Sequence, residues 1–293
     1  MSVDVDRDRL ASNLQKIVGE RSPFSGRQRL AAVESFIQQE FEAYGLTVES
    51  DFFRYREEAF RNIIGRYGAE RKMPLVILGA HFDSVAGTPG ADDNASGVAV
   101  LLEAARVIVR QQIVSQVLFC AFNLEELNMI GSTALASKLN AAGAKIQAMI
   151  SLEMIGYTDS RPRSQKLPVG LGGLYPDRGD FIGVIGNWKS NSLLRRFSGL
   201  MREVRDLNVQ TLSVPGKGML IPAVRLSDHA PFWDLGFPAL MITDTAFYRN
   251  PHYHRPTDTL ETLNLDFMAK VCEGVVRAVT GLQPSRDGQG YKS

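Results

Sequence analysis

Two cysteines and four histidines in 293 residues, with no excess of either charge, set the first limits on this chain. Cys120 and Cys272 have no CxxC neighbour and each falls within an apolar pattern. That argues against a thiolate metal site and predicts two reduced core thiols in place of a disulfide. The 33 basic and 32 acidic side chains leave a net charge of +1 and no basic run, so no electrostatic footprint for nucleic acid is present. No window approaches the apolar run that a membrane span needs. The opening segment, MSVDVDRDRLASNLQKIVGE, is charged where a signal peptide would be apolar. A cytoplasmic address is the expectation by default.

What the chain does have is a series of apolar runs that end in acids and histidines. VILGA runs into His81-Phe-Asp83-Ser, VLFCAFNL into Glu125-Glu126, and AMISL into Glu153. A Gly-Ala-Asp92-Asp93-Asn-Ala-Ser-Gly turn opens an apolar helical stretch. At 44% hydrophobic, the length permits one large domain over 1–293 with a deep core. Helical patterns are expected at Asp6–Gly19, Gly26–Tyr44, Ala95–Arg110, Met129–Ala142, Ser190–Arg205 and Leu260–Leu282. Strands are expected at Thr47–Tyr55, Asn62–Tyr67, Pro74–Ala80, Gln116–Asn123, Ile146–Ile155, Asp180–Ile185 and Pro238–Thr243. This alternation predicts an α/β fold with a mixed, mainly parallel sheet and helices on both faces. Residues of about 157–180, rich in Gly, Pro and charge, read as an active-site rim or lid insertion, and Gln283–Ser293 as a frayed tail.

In an open α/β sheet, ligands bind outside the carboxyl ends of the strands. Acids gathered there without matching Lys or Arg repel one another, and a pair of metal ions answers that repulsion. Taken singly, each residue has an ordinary explanation. His81 would serve as a satisfied core histidine, Asp92 or Asp93 as a helix cap, and Glu125 and Glu126 as solvated loop acids. Their joint occurrence after successive strand patterns, with a late His in Tyr253-His254-Arg-Pro-Thr-Asp-Thr, is what favours a site.

HFDS with GADDNASG, then NLEELNMIGS, SLEMIGY, and finally SDHAPFWDLGFPAL with NPHYHRPTDT span residues 79–259. In order and spacing they resemble the M28 family of zinc aminopeptidases. Roughly the first 70 residues carry no motif. The resemblance implies a zinc-exopeptidase-like fold, of the phosphorylase/hydrolase-like kind, and two zinc ions per chain. His81 and Glu153 would bind the first metal, Glu126 and His254 the second, and Asp93 would bridge both. Imidazole and carboxylate ligands suit zinc. Asp83, two residues beyond His81, faces the same way on a strand and is placed to orient the imidazole. Glu125 is implied as general base toward the metal-bridging water. Tyr253 matches the position that donates to the developing oxyanion, with a packing aromatic as the plain alternative. Asp92 is then a cap or scaffold, His229 a loop support and His252 a surface residue. Two departures stand out: Glu153 occupies a position that is usually Asp, and Asn128 one that is usually Gly.

The activity implied is removal of N-terminal residues from peptides. Alternatives are a one-zinc glutaminyl-cyclase type of acyl transfer, a carboxypeptidase anchored by Arg225 or Arg249, and a non-catalytic peptide-binding relative.

Overall fold

The computed structural model describes residues 3–68, 74–112, 116–168 and 170–282. The tail Gln283–Ser293 lies outside the described residues. Eight strands form one sheet: β1 (Thr47–Tyr55), β2 (Glu58–Tyr67), β3 (Leu75–His81), β4 (Val117–Phe122), β5 (Ile146–Glu153), β6 (Phe181–Asn187), β7 (Asn208–Val214) and β8 (Ala239–Thr243). Their spatial order is β1-β2-β4-β3-β5-β8-β6-β7. The centre is parallel, with β3 between β4 and β5 and β5 beside β8. The β1-β2 hairpin joins β4 antiparallel, and β6 joins β8 antiparallel. The sheet is therefore mixed and mostly parallel, as the alternation of patterns implies.

Continuous apolar runs form the central strands because both faces are covered. Along β3, Val76, Leu78 and Ala80 enter one core while Leu75 and Ile77 enter the other. Five helices cover the first face: α1 (Arg7–Ile17), α2 (Arg27–Ala43), α3 (Gly97–Arg110), α5 (Asn191–Met201) and α7 (Leu265–Gly281). Residues of α4 (Ile130–Ala141) and the short α6 (Ala230–Asp234) pack in the core on the second face. Cys120 and Cys272 are buried free thiols. Among the described residues, no helix is long and apolar enough to cross a membrane.

The structure corrects three element assignments. The last helix begins at Leu265, not Leu260, because the Asn264 side chain accepts from the Phe267 N–H and caps it there. Residues Leu260–Thr262 form a separate 3₁₀ turn. Strand β7 is absent from the sequence reading. Among the described residues it pairs only with β6, and its NVQTLSV run buries little beyond Val209 and Val214. Strand β2 starts at Glu58 because its hairpin with β1 extends to the Tyr55–Glu58 pair.

Candidate metal centre

Because β3, β4, β5 and β8 run parallel, their carboxyl ends share one edge. His81 is the last residue of β3 and Glu153 the last of β5. Glu125 and Glu126 follow β4, and the turn Ala91–Ser96 follows β3 and leads into α3. His254 arrives on the long loop after β8.

Ligand atoms of His81, Asp93 and Glu153 lie within 4.8 Å of one another, as do those of Asp93, Glu126 and His254. His81 Nε2 is 3.3 Å from Asp93 Oδ1 and 3.5 Å from Glu153 Oε2. His254 Nε2 is 3.1 Å from Asp93 Oδ2 and 3.3 Å from Glu126 Oε2. Asp93 thus offers one oxygen to each group. Both ring nitrogens of the fully buried His81 lack a hydrogen-bond partner, as does one oxygen each of Glu126 and Glu153. Buried polar atoms are almost always satisfied. An imidazole and carboxylate set left open in this way fits two zinc ions in donor type and number.

The electrostatics point the same way. Burial raises the Glu125 and Glu153 carboxyls; the charge of Glu153 adds to the effect at Glu125 and that of Asp93 at Glu153, while His81 opposes both. Burial and the charge of Asp93 push Glu126 up to about 7. His254 is raised to about 10: burial acts against its charge, and hydrogen bonds to Asp93 and Glu126 overcome it. Without cations, the cluster must hold protons to relieve its repulsion.

Two further carboxylates fix the ligand-bearing backbone. Asp83 Oδ1 and Oδ2 accept from the Glu125 and Glu126 N–H groups at 3.1 and 3.2 Å. Asp258 Oδ1 and Oδ2 accept from the Asp92 and Asp93 N–H groups at 2.9 and 3.1 Å. Asp83 also stands 3.5 Å from His81 Nδ1. It therefore holds the glutamate loop as well as facing the imidazole. Asp92 caps no helix: its oxygens accept from Gly156 N at 2.9 Å and Asn250 Nδ2 at 2.7 Å, fastening the segment after β5 and the loop after β8 to the turn. Left-handed backbone occurs at Leu124, Met154 and His254: beside Glu125, beside the candidate ligand Glu153, and at a candidate ligand itself. Asn128 has φ of 76°, a conformation that asparagine tolerates nearly as glycine does, so the exchange at this position keeps the turn.

Glu125 has Oε2 3.9 Å from His81 Nε2, inside the same cleft but outside both ligand groups. The Tyr253 ring stacks on His254 with centroids 3.7 Å apart. Burial raises the Tyr253 hydroxyl, with the surrounding acids adding to the shift, so it stays protonated. His229 is buried, bonds through Nε2 to Val224 O at 2.8 Å and meets Trp233 edge-on. Burial lowers it to about 3, a neutral loop support outside both ligand groups. His252 is partly exposed and bonds to Thr257 Oγ1 at 2.9 Å.

Beside the acids lies a cavity of about 100 Å³ with a mainly apolar wall. Leu171, Tyr175, Phe181, Ile185, Leu212, Met241 and Phe247 line it, and Glu153 and Tyr253 stand at its acidic end. Leu167, Leu171 and Tyr175 come from the 157–180 segment, which therefore forms part of the site wall. Sequence reasoning missed the roles of Arg21, Asp228 and Asp258. Asp228 is fully buried and raised to about 7, chiefly by burial, with His81 acting in the opposite sense. Both aspartates lie in quoted motifs, whereas no motif covers Arg21.

The sequence matches the profile of peptidase family M28 over residues 62–279. It is 41% identical over 252 residues to the uncharacterised protein YfbL of Escherichia coli K12, covering 82% of this chain and 77% of that one. It is 30% identical over 226 residues to leucine aminopeptidase 1 of Arthroderma otae. That match covers 72% of this chain and 55% of the longer relative. LapB of Legionella pneumophila has a similar fold, with a TM-score of 0.76 at 22% identity over 95% of this chain and 72% of that one. The fold is also similar to glutaminyl cyclase of Porphyromonas gingivalis, with a TM-score of 0.71 at 20% identity over 94% and 98%.

Proposed function

Since the chain belongs to peptidase family M28, we propose that it is a two-zinc aminopeptidase acting on peptides whose first residue is apolar. The observation that carries this reading is Asp93, whose two oxygens face His81 at 3.3 Å and His254 at 3.1 Å. His81 and Glu153 would hold one zinc, Glu126 and His254 the other, with Asp93 between them. Zinc bound there supplies Lewis acidity to a carbonyl and lowers the pKa of water.

The chain's own groups do the rest. Glu125, in the cleft but in neither ligand group, accepts the proton of the attacking water and returns it to the leaving amine. Tyr253 keeps its proton and donates to the carbonyl oxygen as negative charge develops there. Asp83 holds the Glu125–Glu126 backbone, so the base is set at a fixed height above the cleft. The carboxylates of Glu125 and Glu153 face a free peptide amine and align the first peptide bond. The adjoining apolar cavity then receives the first side chain.

A carboxypeptidase would need a free basic anchor. Arg249 is buried with Nε on Gln165 and Nη1 on Tyr157 O, and Arg225 is held 2.8 Å from Asp234. Arg225 is thus tied up by an acid, and Arg249 is buried with two of its three nitrogens bonded and Nη2 without a partner among the described residues, which favours recognition of the amino end. A glutaminyl-cyclase type of chemistry shares the fold and would need one zinc.

Zinc counting together with a screen of aminoacyl anilides tests the proposal. We expect about two zinc per chain, cleavage of leucyl and phenylalanyl substrates at least about tenfold faster than glutamyl ones, and no cleavage after N-acetylation. The selectivity follows from placing a charged group in an apolar cavity. Equal cleavage of acetylated and free peptides would overturn the aminopeptidase reading. One zinc per chain with cyclisation of N-terminal glutamine would establish the acyl-transfer alternative.

A further inference from the structure

We propose that Arg21 is a positioning residue of the metal centre, setting the spacing between the β3 end that carries His81 and the turn that carries Asp93. This rests on the two-metal reading above.

Arg21 lies between α1 and α2, outside the stretch matched by the family profile, and its side chain has no exposure to solvent. The guanidinium donates to five main-chain carbonyls. Nε reaches Phe82 O at 2.7 Å. Nη1 reaches Ile17 O, Gly19 O and Pro89 O at 3.2, 2.7 and 2.8 Å, and Nη2 reaches Gly90 O at 2.8 Å. Phe82 sits between His81 and Asp83, while Pro89 and Gly90 lead directly into Asp92-Asp93. One planar fork therefore joins the end of α1, the histidine strand and the aspartate turn. A rigid fork loses little freedom per bond formed and cannot stretch, so it works as a spacer.

The backbone around it is built to this arrangement. The Arg21 N–H donates to Ser84 Oγ at 2.9 Å, and the Gly19 N–H to Pro89 O at 2.9 Å. Gly90 has φ of 61°, and a Cβ there would stand 2.4 Å from Asp93 O and 2.7 Å from Arg21 Nη2. Glycine lets the arginine and the Asp93 carbonyl approach the same point.

A buried cation that bonds only to carbonyls needs negative charge nearby. Its field partners are Asp83, Asp93 and Asp258, the two backbone clamps and the shared ligand. Arg21 thus contributes a positive charge behind the metals without occupying a ligand position. A lysine would keep that charge and lose the fork.

The test measures zinc affinity by chelator competition on folded protein, and kcat and KM at saturating zinc, for wild type, R21K and S84A. For R21K we expect zinc affinity to fall about 10–100-fold, the usual effect of losing a group that orients ligands. Its kcat stays reduced at saturating zinc, with KM within about twofold of wild type. S84A, which removes one bond to the same hub, shows a smaller loss of zinc affinity in the same direction. R21K that melts earlier yet keeps wild-type zinc affinity and kcat overturns the proposal and leaves Arg21 a folding staple. Should R21K not fold, unchanged zinc affinity in S84A overturns it. Wild-type protein that takes up no zinc overturns the two-metal reading itself, a separate outcome.

Discussion

Glu125 and Asp93 differ in what they touch, and in the proposed function that difference separates base from ligand. Asp93 belongs to both ligand groups, whereas Glu125 belongs to neither and lies 3.9 Å from His81. Glu125→Gln keeps the shape and every candidate ligand but cannot accept a proton. We expect kcat to drop roughly 10²–10⁴-fold with zinc content unchanged, measured by elemental analysis beside steady-state rates. Asp93→Asn would leave an amide between the two proposed zinc ions, so zinc and activity should be lost together. Turnover near wild type in the glutamine variant would move the base role to another group. Acids and histidines at strand ends were visible in the sequence because residue type and strand pattern together mark them. Arg21 was not visible. Its partners are main-chain carbonyls, which leave no trace in residue type, and they come from segments up to 69 positions away.

At the level of elements, the long loop after β8 and the turn before α3 behave as one piece. His254 faces Asp93 through its ring, and four residues later Asp258 accepts from the Asp92 and Asp93 N–H groups. Asp258→Ala leaves those two buried donors without their acceptor. Zinc affinity should then fall by about 10–100-fold even though no ligand is changed. Chelator competition checks this, and wild-type affinity would show the clamp to be dispensable. The 157–180 segment is tied in by another route, Gln165 to Arg249 Nε at 2.9 Å and to Thr245 Oγ1 at 2.8 Å. The central strands were legible as unbroken apolar runs, since a sheet covered on both faces demands them. Strand β7 was not, because an edge strand with one neighbour can keep polar residues along most of its length. Apolar spacing alone misplaces the start of α7, because LETLNL continues that spacing and the Asn264 cap is what breaks it.

Across the whole molecule, the protons held by the acid cluster make stability depend on pH in a way that zinc should reverse. In the metal-free chain Glu126, Asp228 and Asp258 are each raised to about 7, mainly by burial, from ordinary carboxyl values near 4. His254 is raised to about 10 by its bonds to Asp93 and Glu126. Each of these groups holds protons in the folded chain at pH values where the unfolded chain has released them. Folding therefore loses stability as pH rises, through about 4 to 7 for the carboxyls and about 6.5 to 10 for His254. His229, lowered to about 3, acts in the opposite sense, but only between about 3 and 6.5. Above pH about 6.5 the raised groups decide the slope, and metal-free protein should melt at lower temperature at pH about 8.5 than at pH about 6.5. Zinc needs the same ligands deprotonated, so its affinity climbs with pH, and the stabilisation it confers grows with the ratio of free zinc to Kd. The gap in Tm between zinc-loaded and chelator-treated protein should widen steadily from pH about 6 to 8.5 at fixed free zinc. Calorimetry at three pH values reads this directly. A gap that stays constant would mean that zinc binding displaces no protons from this cluster, and the ligands would have to be sought elsewhere.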